Sequence, residues 1–484
     1  MDYNLGKMQV IGLPDMEKAI LDELIEIFQM HFNSNYIKDK YYEGDISLNE
    51  VNLGIALPDG IKGLEIGCDW GAKTVDVLAA RSMFDGFVGI NGSEVKDLDL
   101  IAYKNNLLSE YNKACRDELK YGCTFATLSA DDKIQCKIRF HSPMTAAASW
   151  NGEKNRISAG LAIIDTVKAN DPLNLENWIP SILNLYTDSA IWVLRRREDS
   201  DIWDAEEHKH KMGRPLMEPL IWNATSVKPF GRSRIKKSIR RFIQGYVRTI
   251  ANATIGLEFS TTPQKYLLGV TDEQFDAVIN QKFRQYVGSI LAATTNPETG
   301  EKPTFGQLTQ GSIQPHVEML RLLATQFSAA SGLSVSDTGV VNDANPTSSD
   351  AITAQTKTLV GMAEQLNTNN GVALKNIALM ATAIINRVSL DDLTDDQMAV
   401  VAHFKNPSLP NISETTDAAL KIASTRPGFS STDVFLEMVG FDNADIRRIK
   451  AQEQKQRGLN VLEELNGNNT ENVEQIYIET PATE

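Results

Sequence analysis

The sequence predicts an α+β fold, because the periodicity of its apolar residues changes twice along the chain. Apolar residues recur at helical spacing near the N-terminus and again from Arg232 onward. Between these regions, residues 122–196 contain short runs rich in β-branched and aromatic residues, separated by Asp, Asn, Gly and Pro. Helices that flank a block of strands are typical of an α+β domain. A chain of 484 residues has room for about three domains.

The N-terminal part is predicted to contain helices followed by an antiparallel sheet. One helix covers Pro14 to Phe32, with proline at its start, and another covers Leu100 to Lys120, which Gly122 ends. A turn leads into a short helix at Ala72 to Arg81. The predicted strands are Gly122–Ser129, Ile134–His141, Ile157–Asp165 and Ala190–Arg196.

A long amphipathic helix with one basic face is predicted from Arg232 onward. No acidic residue occurs between Glu218 and Glu258. At 1.5 Å per residue this helix would be about 40 Å long. Its apolar stripe is predicted to contain Ile239, Phe242 and Tyr246. The opposite face carries Arg232, Lys236, Lys237, Arg240, Arg241 and Arg248. This face either meets acidic neighbours, such as other subunits of an oligomer, or contacts phosphates, and the sequence leaves both interpretations open.

A small insert, a second amphipathic helix and a loop follow this helix. Turn signals mark an insert at residues 262–311, and the helix at 312–332 ends at Gly332. The loop at 333–346 contains small and polar residues. It stops at Asn345-Pro346, which is typical of a helix N-cap followed by proline in the first turn.

The remaining C-terminal part is predicted to be helical and then disordered. A long helix is expected at 347–388, with a break at Asn369-Asn370-Gly371. A charged helical region covers Ser431 to Gln456. Residues 458–484 contain acidic residues and no basic ones, so this tail is predicted to be disordered.

Composition excludes several classes of protein. The 48 basic residues against 63 acidic ones give a net charge of -15, which argues against a protein that wraps nucleic acid tightly. The four cysteines form no Cys-x-x-Cys pair, so neither a structural zinc site nor a disulfide framework is expected. The N-terminus lacks the pattern of a signal peptide, and the longest helical apolar run, Ile377 to Ile385, is too short to span a membrane. We therefore expect a protein made in a cytoplasm, without membrane contact, metal or cofactor.

One segment imitates an enzyme signature. Residues 64–71, Leu-Glu-Ile-Gly-Cys-Asp-Trp-Gly, are similar to the first motif of S-adenosylmethionine-dependent methyltransferases. Asp69 occupies the position of the middle glycine, and no alternating series of strands and helices follows. His208-Lys209-His210-Lys211 could bind a metal weakly, but a solvated loop is the simpler interpretation. We find no catalytic motif, so we expect no enzyme.

The order of the short motifs resembles that of the portal proteins of tailed bacteriophages, specifically the family from phages with long non-contractile tails. The resemblance extends from about Tyr41 to about Lys450. Each motif is weak alone, but their number and order are specific. The motifs are Tyr41-Tyr42-Glu43-Gly44, Leu53-Gly54-Ile55-Ala56-Leu57-Pro58, Tyr121-Gly122-Cys123-Thr124-Phe125, Phe230-Gly231-Arg232-Ser233-Arg234-Ile235, Pro263-Gln264-Lys265-Tyr266 with Gly306-Gln307, and Asn345-Pro346-Thr347-Ser348-Ser349-Asp350-Ala351-Ile352. Trp70 departs from the family pattern, because Gly71 follows it where the family usually has a basic residue beside it.

The resemblance implies a portal fold, with these parts in chain order. They are an α+β wing at 1–231, stem helices at 232–261 and 312–332 that flank a small α/β clip insert at 262–311, a tunnel loop at 333–346, a long wing helix at 347–388, a wing and helical C-terminal crown at 389–457, and the acidic tail at 458–484. The tunnel-loop residues that would line a DNA channel are Asp337, Gly339, Val340, Val341, Asn342 and Asp343.

The resemblance also implies a function and partners. The protein would be a homo-oligomeric ring, typically a dodecamer, at one vertex of the capsid of a virion assembled in the bacterial cytoplasm. Double-stranded DNA would pass through the ring during packaging and ejection. The expected partners are the terminase large subunit, a head-completion adaptor protein, the major capsid protein and a scaffolding protein. The alternatives are a methyltransferase and a general nucleic-acid-binding module that uses the basic helix.

Overall fold

The computed structural model describes residues 5, 8–46, 66–90, 95–168, 178–197, 200–261, 265–269, 300, 302, 304–307, 312–339, 349–408, 412–426, 428–441 and 443–474. Its helices form two groups along the chain. The first group is α1 (Asp15–Glu43), α2 (Trp70–Ala79), α3 (Lys96–Lys104) and α4 (Leu107–Tyr121). The second group is α5 (Lys237–Thr261), α6 (Gln314–Ser331), α7 (Ser349–Asn386), α8 (Asp395–Met398), α9 (Ile412–Thr425), α10 (Asp433–Val439) and α11 (Asn443–Glu474).

Most of the strands lie between the two groups of helices. They are β1 (Gln9–Ile11), β2 (Phe84–Gly89), β3 (Cys123–Asp131), β4 (Gln135–His141), β5 (Ala146–Asn151), β6 (Arg156–Lys168), β7 (Trp178–Tyr186), β8 (Ala190–Arg196), β9 (Ile202–Lys209), β10 (Met217–Ile221), β11 (Lys265–Leu268), β12 (Thr304–Gln307) and β13 (Val400–Phe404).

These strands form four sheets. The largest has six strands in the order β1-β9-β8-β7-β6-β5, and a three-stranded sheet has the order β10-β3-β4. The pairs β11–β12 and β13–β2 form two smaller sheets. Among the described strands, only β1 and β9 pair in parallel. Segregated helices and mainly antiparallel sheets agree with the predicted α+β class.

The apolar residues of these elements form two hydrophobic cores. In the smaller core, α1 packs on the six-stranded sheet through side chains such as Leu21 and Phe28. The larger core joins α2, α4, α5, α6 and α7, with residues such as Ile243, Phe327 and Ile377 fully buried. A fully buried side chain of this kind contributes about 2 kcal/mol to folding. The N-terminal end of α2 lies against α5 and α6, because Trp70 packs on Tyr246 and Phe327.

The helix predicted at Leu100 to Lys120 is two helices. Asn106 has a left-handed backbone conformation (φ 49°) and separates α3 from α4. The side chain of the preceding residue, Asn105, donates to the Cys136 carbonyl at 2.9 Å and accepts from the Ile138 amide at 2.9 Å. The helix is therefore interrupted where a side-chain amide satisfies backbone groups of β4, a contact between segments that are distant in sequence.

The predicted break at Asn369-Asn370-Gly371 is wrong, because α7 continues through it. Asn370 is fully buried, and its amide donates to Glu118 Oε2 at 2.7 Å and to the Tyr111 hydroxyl at 3.0 Å. A Cβ atom at Gly371 would lie 3.7 Å from Phe404 Cε2, so this part of the helix faces the pair β13–β2 closely. Glycine inside a helix costs about 1 kcal/mol, and these tertiary contacts offset that cost.

The C-terminal prediction is also corrected. The charged region is two helices, α10 and α11, and α11 continues to Glu474, through much of the tail predicted to be disordered. Ile446 is buried at the base of α11, and Arg447 donates to both carboxylate oxygens of Asp99 at 2.8 and 3.1 Å. Residues 450–460 of this helix are exposed. Unbranched side chains such as Gln, Glu, Lys and Arg favour a helix even without a partner surface. Residues 475–484 lie outside the described part.

No helix in the described part of the chain is both long and apolar enough to cross a membrane.

Candidate functional site

Helices α5 and α6 pack against each other, and their contact defines the buried face of α5. A Cβ atom at Gly245 would lie 3.1 Å from Leu323 Cδ2, so glycine permits the close approach of α6. The buried apolar side chains of α5 and the residues before it are Ile235, Ile239, Ile243, Val247 and Ala251, which follow each other at spacings of four. We name α5 and α6 the stem pair.

The predicted apolar stripe overlaps this buried face in part, and Phe242 and Tyr246 pack against the edge of the core. Ile239 is buried as predicted, whereas Phe242 and Tyr246 are half-buried at the margin of the buried face. The helix begins at Lys237 and not at Arg232. Spacings of three and four fit several neighbouring stripes equally well, and only the position of α6 selects one of them.

The basic residues of this region differ in exposure. Arg232, Lys236, Lys237 and Arg241 are exposed, whereas Arg240 and Arg248 are half-buried. The Arg240 guanidinium lies 5.8 Å from the centre of the Tyr41 ring. None of the six basic residues of the predicted face forms an ion pair with a residue that the structure describes. One interpretation of the basic face was that it meets acidic neighbours. No such neighbours are found among the described residues of the same chain.

The first turn of α2 connects the stem pair to the segment that follows α6. The Trp70 indole stacks on Phe327 of α6, with ring centres 4.6 Å apart, and contacts Tyr246 of α5 at 4.8 Å. Its Nε1 donates to the Thr338 carbonyl at 3.1 Å, in a buried hydrogen bond. One turn later, Lys73 Nζ donates to the Asp337 carbonyl at 2.5 Å. Helix α2 therefore holds the start of the predicted tunnel loop against the stem pair.

The glycine after Trp70 has a packing reason. A Cβ atom at Gly71 would lie 1.8 Å from the Tyr41 carbonyl oxygen of α1, a distance that no side chain tolerates. Only glycine lets α2 approach the end of α1 this closely. The departure from the family pattern at this position is therefore a local solution for the contact between α1 and α2.

Arg234 ties the entry of the stem pair to three other elements. It is buried, its Nε donates to the Thr74 carbonyl at 2.6 Å, and its Nη2 donates to the Ser331 carbonyl at 2.7 Å. The guanidinium also lies 5.7 Å from the centre of the Trp222 ring. Burial lowers the pKa of Arg234 to about 10, so it stays charged at neutral pH. It thus satisfies a carbonyl at the C-terminal end of α6.

The start of the predicted tunnel loop is a short turn. Residues Ser336–Thr338 form one turn of 3-10 helix, which Gly339 ends in a left-handed conformation (φ 75°). The Asp337 carboxylate accepts from the Ser334 amide at 3.0 Å and from the Ser334 hydroxyl at 2.7 Å. Asp337, expected to line a channel, is half-buried and satisfies its own turn. Val340, Val341, Asn342 and Asp343 lie outside the described residues.

A buried polar network fixes the long helix α7 and was not predicted. Glu118 of α4 is fully buried, and its carboxyl group accepts the hydrogen bond from Asn370. Burial raises the pKa of Glu118 to about 8. The Ser82 and Tyr111 hydroxyls are 2.7 Å apart, and Ser82 Oγ donates to Asn367 Oδ1 at 2.6 Å. The signal that could have revealed this network is the polar pair Asn367 and Asn370 on one face of an apolar helix.

The insert between the stem helices begins and ends at one place. Strands β11 and β12 pair in antiparallel fashion, with Lys265 opposite Gln307 and Leu268 opposite Thr304. Residues 270–299 lie outside the described part. The paired ends show that the insert leaves and rejoins the stem pair as a hairpin-like extension.

The enzyme and metal interpretations gain no support from this geometry. Residues 64 and 65 of the methyltransferase-like segment lie outside the described part, and Trp70 and Gly71 are used in packing. Within the described ranges, no group of three or more His, Cys, Asp or Glu side chains could hold a metal ion. His208 and Lys209 belong to β9 and not to a loop.

Similarity to known proteins agrees with the order of these elements. The family model described as "Phage portal protein, SPP1 Gp6-like" matches residues 24–458. A comparison with curated protein sequences finds no match.

Three solved structures with similarity to this chain are of gene transfer agent particles. A structure described as "Virion of native gene transfer agent (GTA) particle" has a TM-score of 0.42 and 12% identity, and covers 77% of this chain and 89% of that chain. The structure "Neck of native GTA particle computed with C12 symmetry" has a TM-score of 0.43 and 11% identity, and the match covers 77% of this chain and 89% of that chain. The structure "Neck of empty GTA particle computed with C6 symmetry" has a TM-score of 0.42 and 11% identity, and the match covers 74% of this chain and 86% of that chain. Since the family model spans most of the chain, the chain belongs to the phage portal protein family, and it is a structural head-to-tail connector at the portal vertex of a virion.

Proposed function

We propose that this protein forms a closed homo-oligomeric ring, a dodecamer, through which double-stranded DNA enters and leaves the capsid. The observation that carries the proposal is the family match over residues 24–458, within which a stem helix, an insert, a second stem helix, a loop and a long helix follow in this order. In this assignment the wing is 1–231 together with the long helix, the stem is α5 and α6, and the clip is 262–311.

The outer surface of the stem pair supports assembly into a ring. Leu257 is 48% exposed and Leu322 is 50% exposed, and Ile313 and Met319 are also exposed in the isolated chain. One helix pair buries one stripe of each helix, and its remaining apolar residues need another partner. Identical neighbours in a closed ring supply that partner at every subunit.

The loop that follows α6 is the part we assign to DNA contact. No Lys or Arg occurs between Arg321 and Lys357, so the loop has no side chain that would form a salt bridge with phosphate. Each neutralised phosphate adds affinity that sliding DNA would have to lose at every step. A loop without positive charge guides the duplex by shape, and its base is held by Trp70 and Lys73.

The partners are assigned by position. The clip, whose ends pair as β11 and β12, would dock the terminase large subunit during packaging and a head-completion adaptor protein afterwards. The wing would face the major capsid protein and the scaffolding protein, and the C-terminal helices would form the crown. We propose a structural role without catalysis, cofactor or metal.

Electron microscopy of the purified full chain in negative stain tests the central proposal. We expect rings with a central hole wide enough for a DNA duplex. In this proposal the exposed apolar residues of the stem pair would form the contact between subunits. A protein that stays monomeric or dimeric at all concentrations would contradict the proposal, as would binding of S-adenosylmethionine by such a monomer. Steeply salt-dependent binding of DNA by a monomer would instead favour the nucleic-acid-binding module.

A further inference from the structure

A cleft lies between the six-stranded and the three-stranded sheet of the wing. One section has a volume of about 280 Å³ and is lined by β3, β4 and β6 to β8. The other has a volume of about 500 Å³ and reaches the loop after β9 and the C-terminal end of α7. Both sections are lined by Ser129, Asn184 and Val193, so they adjoin each other. These volumes are in the range of sites that bind ligands or short segments of a partner.

The rim of this cleft has an excess of positive charge in an otherwise acidic chain. Five cationic side chains line it without forming an ion pair with any described residue: Lys137, Arg139, Arg195, Lys211 and Arg387. The acidic residue at the rim, Asp131, already accepts from the Lys133 and Ile134 amides at 2.8 and 3.0 Å. Unpaired cations of this kind attract a negatively charged partner.

The floor of the cleft is apolar and contains one unused acceptor. Ile164, Ile182 and Val193 are partly buried there. The Asn184 side chain donates to the Tyr186 hydroxyl at 3.3 Å, but its Oδ1 is buried and has no hydrogen-bond partner among the described residues. A buried acceptor without a partner is costly, and an N–H donor from a bound segment would satisfy it.

We propose that this cleft docks an extended segment of a partner protein in which acidic and apolar residues alternate. Successive side chains of an extended chain point to opposite sides. Carboxylates can therefore reach the cationic rim while apolar side chains contact the floor, and a backbone N–H is available for Asn184. A DNA duplex offers phosphates but neither apolar side chains nor backbone N–H groups, so it would leave the floor and Asn184 unused. The site is separate from the stem pair and the loop.

Fluorescence anisotropy with a defined probe tests the proposal on the full-length protein in the assembled state in which it purifies. The probe is a short fluorescein-labelled peptide in which glutamate and valine alternate. Arg139→Glu and Arg195→Glu lie on exposed positions, so the fold is expected to persist. Together they should weaken binding of this peptide about tenfold or more, since each replaces attraction by repulsion.

Matched variants separate this effect from general charge and from stability. Lys154→Glu makes the same change of charge as each single substitution in the turn between β5 and β6, outside the cleft, and should leave the affinity unchanged. Asn184→Leu should weaken binding with only a small change of the thermal unfolding midpoint, because it removes both the unsatisfied acceptor and the 3.3 Å hydrogen bond to the Tyr186 hydroxyl. A purely structural role for Asn184 would lower the midpoint and leave binding intact.

Several results would overturn the inference. One is equal affinity of the peptide for wild type and for Arg139→Glu/Arg195→Glu, or no binding at all. Another is equal binding of a peptide that alternates lysine and valine. A DNA duplex that competes fully with the peptide would identify a nucleic-acid surface instead. Binding to a monomeric fraction but not to rings would show that a neighbouring subunit fills the cleft.

Discussion

The contact between Trp70 and Thr338 makes a specific prediction about the loop base. Trp70→Phe keeps an aromatic ring between Phe327 and Tyr246 but removes the Nε1 hydrogen that the Thr338 carbonyl accepts at 3.1 Å. Loss of one donor to a buried carbonyl costs about 1–2 kcal/mol. The turn at 336–339 opens when this bond breaks, so the population of the open turn should rise about 5- to 30-fold in this variant.

Amide hydrogen exchange, measured by mass spectrometry on fragments that cover 333–339, reports the population of the open turn. We expect faster exchange there and unchanged exchange in β6 to β8. Adding Lys73→Met removes the second contact, to the Asp337 carbonyl, and should increase the rate further. Trp150→Phe is the control, because Trp150 packs on Phe230 in the wing and forms no hydrogen bond with a described residue through its indole. Wild-type exchange at 333–339 in Trp70→Phe/Lys73→Met would refute the role of α2.

Further predictions concern the buried network, the stem pair, the tail and the loop. Because burial raises the pKa of Glu118 from 4.5 to about 8, its contribution to stability is complete below pH 4.5 and is lost as the pH rises through 8. Glu118→Gln should therefore raise the thermal unfolding midpoint at alkaline pH and change it less at acid pH, and a pH-independent difference would contradict this. Phe242→Asp, at the half-buried margin of α5, should give folded subunits that form no rings in size-exclusion chromatography; rings of normal size would show that this margin is not a subunit contact. Deletion of residues 466–484 should leave ring assembly unchanged by the same assay, and loss of rings would show that the tail takes part in assembly. Val341→Lys should leave rings intact but impair packaging or retention of DNA, whereas a full genome packaged at the normal rate would show that the loop does not face DNA.

The class of fold and part of the order of elements could be predicted from the sequence, because both depend on local patterns. The four predicted strands occur in β3, β4, β6 and β8, and the long helix after the loop ends at Asn386, close to the predicted residue. Gly332 ends α6 in a left-handed conformation (φ 74°), as a helix C-cap glycine is expected to. Such signals lie within a few residues of each other, so no tertiary contact is needed to read them.

The tertiary structure alone decided which of several similar faces is buried and which polar residues are satisfied inside. Ile243 and not Phe242 lies at the centre of the buried face of α5, because α6 approaches at Gly245. Asn370 continues a helix instead of ending it, because Glu118 lies opposite. Trp70 belongs to the segment that is similar to a methyltransferase motif. In the structure it lies between the stem pair and Thr338, which is 268 residues away in sequence. Contacts across such separations follow from the packing of whole elements, and local spacing carries no information about them.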